Sequence, residues 1–324
     1  MRSTTIQWVT VLAIGIALLY LAFRNIPIES LQQTLQNGNY KMLLPVYLVS
    51  ILGYWFRSKR WQLLTNAMDA NATVSVLFGS LSMGYAVNIV TPRLGEITRC
   101  ALLSKYGSMP IERSVLSVVV ERIVDVLSLL ILLLVSAFFV STSVDDFIQR
   151  YIINAFAERL KQIKLSPWFP LLLITALTVF GLLLYWFYKR LPQLAKRIQS
   201  LSGAAKQLIE MKQKTLFAIY TVLIWVCYYL MTYLWFSVFT ETATLGLSHA
   251  FVLMVIGSLG RSVPIQGGGM GAYHFLVSQL LLVFGVSITT GTALAFVIHG
   301  AQLLLTFVLG LVSWLGLVRL SSRT

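Results

Sequence analysis

Between Gly84 and Asp125, charged side chains interrupt an apolar chain, among them Arg93, Glu96, Arg99, Glu121, Arg122 and Asp125. Glu121 and Asp125 are four residues apart, so on a helix they share one face, with Arg122 turned about 100° away. Arg113 marks the polar start of the same segment. At about 1.5 Å per residue, Glu121 lies about 12 Å beyond it and Asp125 about 18 Å. A charge near the centre of a bilayer costs at least ~2.5 kcal/mol, so charges at that depth pair with one another or line a wet cavity. Two carboxylates there require cations, and Arg93, Arg99, Arg122 and Arg261 are the candidates. Arginine also suits anion recognition, because its planar fork makes bidentate bonds to phosphate oxygens. The residues therefore support two readings: an ion-pair network that pins helices together, and a cationic surface for a phosphate whose carboxylates order the arginines or hold an amine.

The elements that would position these groups are membrane helices. The chain of 324 residues is 57% hydrophobic and 11% charged, with a mean hydropathy of +0.80, outside the range of a soluble domain. Crossing a hydrocarbon core of about 30 Å takes roughly 20 apolar residues. Ile6–Phe23, Tyr40–Phe56, Ser114–Val140, Trp168–Tyr188, Thr215–Phe239 and Thr290–Val318 meet that need and predict six spans. The first ends Leu21-Ala22-Phe23-Arg24 without a small-residue cleavage site and is kept as an uncleaved span. Two further apolar stretches are broken. Val74–Val90 runs into Thr91-Pro92-Arg93-Leu94-Gly95, and Ala250–Val263 runs into Pro264-Ile265-Gln266 and then Gly267, Gly268 and Gly269. Proline and glycine stop helices there. Broken helices at membrane depth are tolerated where protein or water covers the backbone, so both stretches are expected to be re-entrant, returning through 97–105 and 273–284.

Counting Lys and Arg orients the chain. With the N-terminus inside, the inside loops (among them 57–73, 91–113 and the connector 189–214) carry a net +13 and the outside loops +1. That is a positive-inside pattern with both termini cytoplasmic. The two breaks share Pro-x-x-Gly and enter from opposite sides, which predicts a single integral domain with inverted repeats over 40–140 and 215–318, holding re-entrant segments 74–105 and 250–284. Inverted repeats with broken helices are an architecture of secondary transporters.

Several chemistries find no support. The glycine turns lack the Lys-Ser/Thr of a P-loop. The net charge of +14 lies in loops without the interleaved aromatics that stack bases, which favours anionic lipid over nucleic acid. Cys100 and Cys227 offer no disulfide framework. Three histidines without carboxylates at ligand spacing give no metal site, and no cofactor is expected. His274, and His299 with Gln302, add polar groups to apolar helices, where hydrogen-bonded packing is the plain alternative.

The order G-x3-N-x3-P-x-x-G-E-x2-R from Gly84 to Arg99, E-R-x2-D from Glu121 to Asp125, P-x-x-G-G-x-G from Pro264 and His299-x-x-Gln302 resembles the lysylphosphatidylglycerol synthase transmembrane family. This is the flippase-like membrane domain of the bacterial multiple peptide resistance factor. The resemblance covers roughly residues 40 to 318, while the synthase domain that follows in the resistance factor has no counterpart before Thr324. It implies translocation of an anionic, aminoacylated or lipid-linked head group across the cytoplasmic membrane of a prokaryote, by a transporter rather than an enzyme. In that reading Arg93, Arg99 and Arg261 meet the phosphate, and Glu96, Glu121 and Asp125 order them or accept an amine. Asn88, Arg122, Gln266, His274, His299 and Gln302 complete the polar lining, and Gly95, Gly267, Gly268 and Gly269 let backbone approach. The expected partners are membrane lipids, a second copy of the chain and a separate lipid-modifying enzyme. The rival expectations are a membrane enzyme acting on a phospholipid or polyprenyl-phosphate head group, and a lipid-binding assembly partner.

Overall fold

The computed structural model describes residues 28–91, 94–136, 178, 206–207, 209–262 and 271–321. The expected spans 6–23 and 168–188, most of the connector 189–214, and the breaks with Pro92, Arg93, Pro264, Gln266, Gly267, Gly268 and Gly269 lie outside them. Among the described residues all regular structure is helical, in nine α-helices: α1 Ile28–Gln36, α2 Leu43–Ala67, α3 Val74–Val90, α4 Leu94–Tyr106, α5 Ile111–Ser136, α6 Lys214–Trp235, α7 Leu247–Ser262, α8 Ala272–Val283 and α9 Ile288–Ser321.

By length and composition, 214–238 and 288–319 are apolar enough to cross a membrane. Helices α2 and α5 are longer than α6 and fall short only in apolarity. They carry Arg57, Lys59 and Arg60, and Glu121, Arg122 and Asp125. The expectation that 57–73 is a cytoplasmic loop is corrected here. α2 runs on to Ala67, and both Arg57 and Arg60 are buried. Arg57, Lys59, Arg60 and Arg99 are thus helix residues rather than loop charge, and the inside excess keeps its sign without them. α2 stops where Asp69 takes a left-handed φ of 60°. Thr73 then caps α3, its hydroxyl accepting from the Val76 N–H.

Helices α3 and α4 lie antiparallel, Gly84 and Asn88 of α3 both facing Gly95 of α4. A Cβ on Gly95 would stand 2.0 Å from the Gly84 carbonyl oxygen, so only glycine permits this approach. The Asn88 Oδ1 accepts from the Gly95 N–H at 2.8 Å and supplies a first-turn donor of α4 with a partner. Helices α7 and α8 form a second antiparallel pair, with Gly257 and Gly260 against Tyr273. The four helices have 17, 13, 16 and 12 residues. At about 1.5 Å per residue, each is shorter than a hydrocarbon core of about 30 Å.

The core is divided. One cluster joins α6, α7, α8 and α9 around Trp235, Phe236, Ile256, Val277 and Leu294. The other joins α2 to α5 around Trp61, Leu64, Leu77, Leu103 and Val118. Large apolar side chains remain exposed along α5 (Val119, Ile123, Leu130, Leu134) and α9 (Leu304, Phe307, Val312), the surface expected of a protein solvated by lipid.

Candidate functional site

Where α2, α4 and α5 meet, the second core gives way to charge. Gly53, Arg57, Arg60, Trp61 and Leu64 follow helical spacing and form the buried face of α2. α5 presents Glu121 and Asp125 to that face. Arg57 Nη2 donates to Glu121 Oε1 at 2.6 Å and Asp125 Oδ2 at 2.8 Å. Arg60 Nη2 donates to Asp125 Oδ1 at 2.6 Å and lies 3.5 Å from Glu121 Oε1. Arg99, from α4, donates to Glu121 Oε2 at 2.5 Å. Its guanidinium carbon stands 4.1 Å from the centre of the Trp61 ring, a cation–π contact. The Trp61 indole N–H donates to the Ser117 hydroxyl at 2.8 Å, which fixes the ring on α5.

Arg122 completes the cluster on different terms. Despite its offset around the helix it reaches to 3.5 Å from Glu121 and 3.8 Å from Asp125, with its side chain 39% exposed. Arg57, Arg60, Arg99 and Glu121 are at most 7% exposed. Helix α6 adds neutral support, because Arg57 Nη1 donates to the Tyr228 hydroxyl at 2.8 Å and Arg60 Nη1 to the Thr221 hydroxyl at 3.4 Å. The guanidinium of Arg57 also lies 5.7 Å from the centre of the Tyr85 ring on α3.

Four guanidiniums therefore face two carboxylates, a local excess of two positive charges. The acceptors are used on both oxygens, whereas donors are left over. Among the described residues the Nε of Arg57, Arg60, Arg99 and Arg122, and one further nitrogen on each of Arg99 and Arg122, are buried without a hydrogen-bond partner. Buried N–H groups are normally bonded, and arginine carries no acceptor of its own. Such a cluster has donors and positive charge to offer an anion.

Not all expected site residues assemble here. Glu121, Asp125, Arg99 and Arg122 do. Arg57 and Arg60, absent from the expected set, supply the two shortest contacts to Asp125. Asn88 and Gly95 serve the α3–α4 contact. Glu96 lies one turn before Arg99, with its Oε2 buried and without a hydrogen-bond partner among the described residues. Arg261, expected among the partners of the carboxylates, belongs elsewhere. It donates to the Tyr273 hydroxyl at 3.1 Å and stands over that ring at 4.5 Å. His274 and His299 are buried beside Tyr273, and Gln302 is half-buried on α9.

A charged site on a helix pair joined by glycine, inside an apolar helical protein, matches one family along most of the chain. The model of the lysylphosphatidylglycerol synthase TM region matches residues 8–310. The chain belongs to that family. A UPF0104 membrane protein of Methanothermobacter thermautotrophicus is 23% identical over 252 residues, 72% of this chain and 73% of that protein. No solved structure matches. Family membership makes this a membrane protein and gives its exposed apolar faces their solvent. The cluster on α2, α4 and α5 falls wholly within the matched residues.

Proposed function

We propose that the chain moves the head group of an anionic lipid between the leaflets of a prokaryotic cytoplasmic membrane. The observation that carries this reading is the excess of buried guanidinium donors over carboxylate acceptors among Arg57, Arg60, Arg99, Arg122, Glu121 and Asp125. A lipid phosphate satisfies both the charge and the spare N–H groups, and its acyl chains stay in the bilayer, so the site needs to shield only the head group. Glu121 and Asp125 hold the arginines in place. Arg122, half-buried and more loosely held than the other three arginines, makes the first contact. Glu96, whose carboxylate pairs with none of the four cluster arginines, is the group left to meet an amine on the lipid.

In this reading α3–α4 and α7–α8 are the re-entrant arms of two repeats of opposite topology, and both termini are cytoplasmic. Their antiparallel packing and their lengths support it, as does the charge asymmetry of the loops. The test is leaflet exchange of headgroup-labelled lipids in proteoliposomes, comparing the natural protein with Arg122→Gln at matched reconstitution. The expected result is exchange selective for anionic lipids, at least tenfold slower in the variant with thermal stability unchanged. Exchange no faster than in empty vesicles across a broad panel overturns the proposal, and recovery of chemically altered lipid moves the protein to the enzymes.

A further inference from the structure

The second helix pair carries a different kind of site. His274 on α8 and His299 on α9 are 3% and 8% exposed, and their rings stack with centroids 4.9 Å apart and planes 28° from parallel. The Tyr273 ring lies 5.9 Å from each and holds Arg261 of α7 by its face and its hydroxyl. His274 Nδ1 accepts from the Gly271 N–H at 3.4 Å, at the turn where Gly271 takes a φ of 91° to start α8. A ring that accepts at Nδ1 carries its proton on Nε2.

We propose that His274 and His299 form a one-proton site whose occupancy sets the hydrogen bond of the Gly271 amide and the hold of Tyr273 on Arg261. The stack limits it to one proton. Two imidazolium charges 4.9 Å apart repel strongly enough, at an effective dielectric constant of about 20, for the second proton to bind on the order of hundreds-fold more weakly than the first. A proton taken from water onto His274 Nδ1 uses the lone pair that receives the Gly271 N–H, leaving two donors face to face and the turn without its hydrogen bond. The new charge also stands one ring away from the Arg261 guanidinium and weakens its seat on Tyr273. Loss of the same proton to water restores both contacts.

Among the described residues, the charged and titratable groups near the pair are these. From α8 there is Tyr273, from α7 Arg261 through that ring, and from α9 His299 itself. Helix α3, packed on α9, carries only Tyr85, which faces Tyr54 and Arg57. Helix α1, also packed on α9, carries only Glu29, which is exposed. Residues 263–270 contain no ionisable side chain. The inference gives the second pair a chemistry opposite to that of the first: no carboxylate beside it among the described residues, and a charge that comes and goes with pH. That the proton drives lipid movement rests on the proposed function; that the pair binds one proton does not.

The chain has three histidines, His249 being the third. The full-length protein, labelled with 13C,15N-histidine and 15N-glycine in lipid nanodiscs, therefore gives three ring systems beside the glycine amides, and His249→Gln leaves only the pair. NMR titration from pH 4.5 to 9 is expected to show the two rings together taking up one proton, with the Gly271 amide shifting in step. In His299→Asn the remaining ring is expected to titrate in a single step, without a coupled partner. The proton site is overturned if both rings in the natural protein protonate within one pH unit of each other, or if neither protonates. In proteoliposomes, a pH gradient is expected to drive labelled anionic lipid into one leaflet with the natural protein and to lose that effect in His299→Asn. Exchange that ignores the gradient overturns the coupling alone. Absence of exchange at every pH beside an intact one-proton titration overturns the transport reading alone.

Discussion

Glu121→Gln tests the architecture of the charge cluster most directly. The carboxylate is fully buried and lies 2.5 to 3.5 Å from four guanidinium groups. Glutamine keeps the shape and removes the charge, so the local excess rises from two positive charges to three while three of the four arginines stay buried. Breaking a buried ion pair by neutralising one partner costs about 3–5 kcal/mol, because the other charge is left uncompensated. Here one carboxylate serves four partners and only Asp125 remains, which places the cost near the upper end, about 5 kcal/mol. That is a large share of a marginal total stability of about 5–15 kcal/mol. Unfolding in detergent followed by tryptophan emission reports on the site itself, since Trp61 lies against Arg99. Adding Arg99→Gln is expected to recover roughly 1–3 kcal/mol of the loss, as a double-mutant cycle shows for groups in direct contact. A loss under about 1 kcal/mol for Glu121→Gln, or strict additivity with Arg99→Gln, would refute the claim that this carboxylate pins the arginines. Glu121→Gln is accordingly a stability variant, and loss of activity in it carries no message about substrate.

Four further outcomes are expected. Gly95→Ala forces a Cβ to within 2.0 Å of the Gly84 carbonyl oxygen and should cost about 3 kcal/mol or more in thermal or denaturant unfolding. Gly300→Ala, with nothing within 4 Å of the added atom, should be neutral or raise stability by up to about 1 kcal/mol. Asn88→Ala, which removes the acceptor for the Gly95 N–H, should cost about 1 kcal/mol in the same assay. In the loop after α6, Glu241 accepts from the Ser287 N–H at 2.9 Å and its hydroxyl at 3.1 Å. Slight burial pushes its carboxyl up, and the hydrogen bonds from Ser287 and Thr290 outweigh that and hold it below its ordinary 4.5. A depressed folded value contributes stability above the unfolded value near 4.5 that is lost as pH falls through the folded one. Melting curves should therefore show natural protein and Glu241→Gln converging as pH drops below 4.5 and separating above it.

What the sequence disclosed depended on whether the signal was local. Proline and glycine mark both breaks, and α3 spans 74–90 as read, with α7 and α8 within three residues of their expected starts. Glu121 and Asp125 announce a shared face by their spacing alone. Arg57 and Arg60 were hidden because Arg57-Ser58-Lys59-Arg60 ends an apolar run and looks like a loop. The signal against a loop was periodicity. Gly53, Arg57, Arg60, Trp61 and Leu64 continue one helical face across those charges, and two carboxylates one turn apart require two cations at matching spacing on a facing helix. The partner of Arg261 was not legible in the same way, because a guanidinium satisfied by an aromatic ring and its hydroxyl leaves no charge pattern to find.

The two helix pairs divide labour along the same physical line. Around α3–α4, arginines stay charged at any physiological pH, and carboxylates from α5 fix them, so in the proposed function the site is a permanent cationic surface that discriminates by ligand charge. Around α7–α8, the only permanent charge is Arg261, seated on a tyrosine beside two imidazoles that share their surroundings with no carboxylate among the described residues. A permanent site holds an anion equally well in either conformation unless something else biases the protein, and a ligand with equal affinity for two states shifts neither. The titratable pair supplies such a bias, because one proton changes the hydrogen bonding of the Gly271 turn and the seat of Arg261 together. Altering Arg122 should therefore change which lipids move, and altering His299 should change how movement responds to pH. A variant of either residue that exchanged these effects would refute the division.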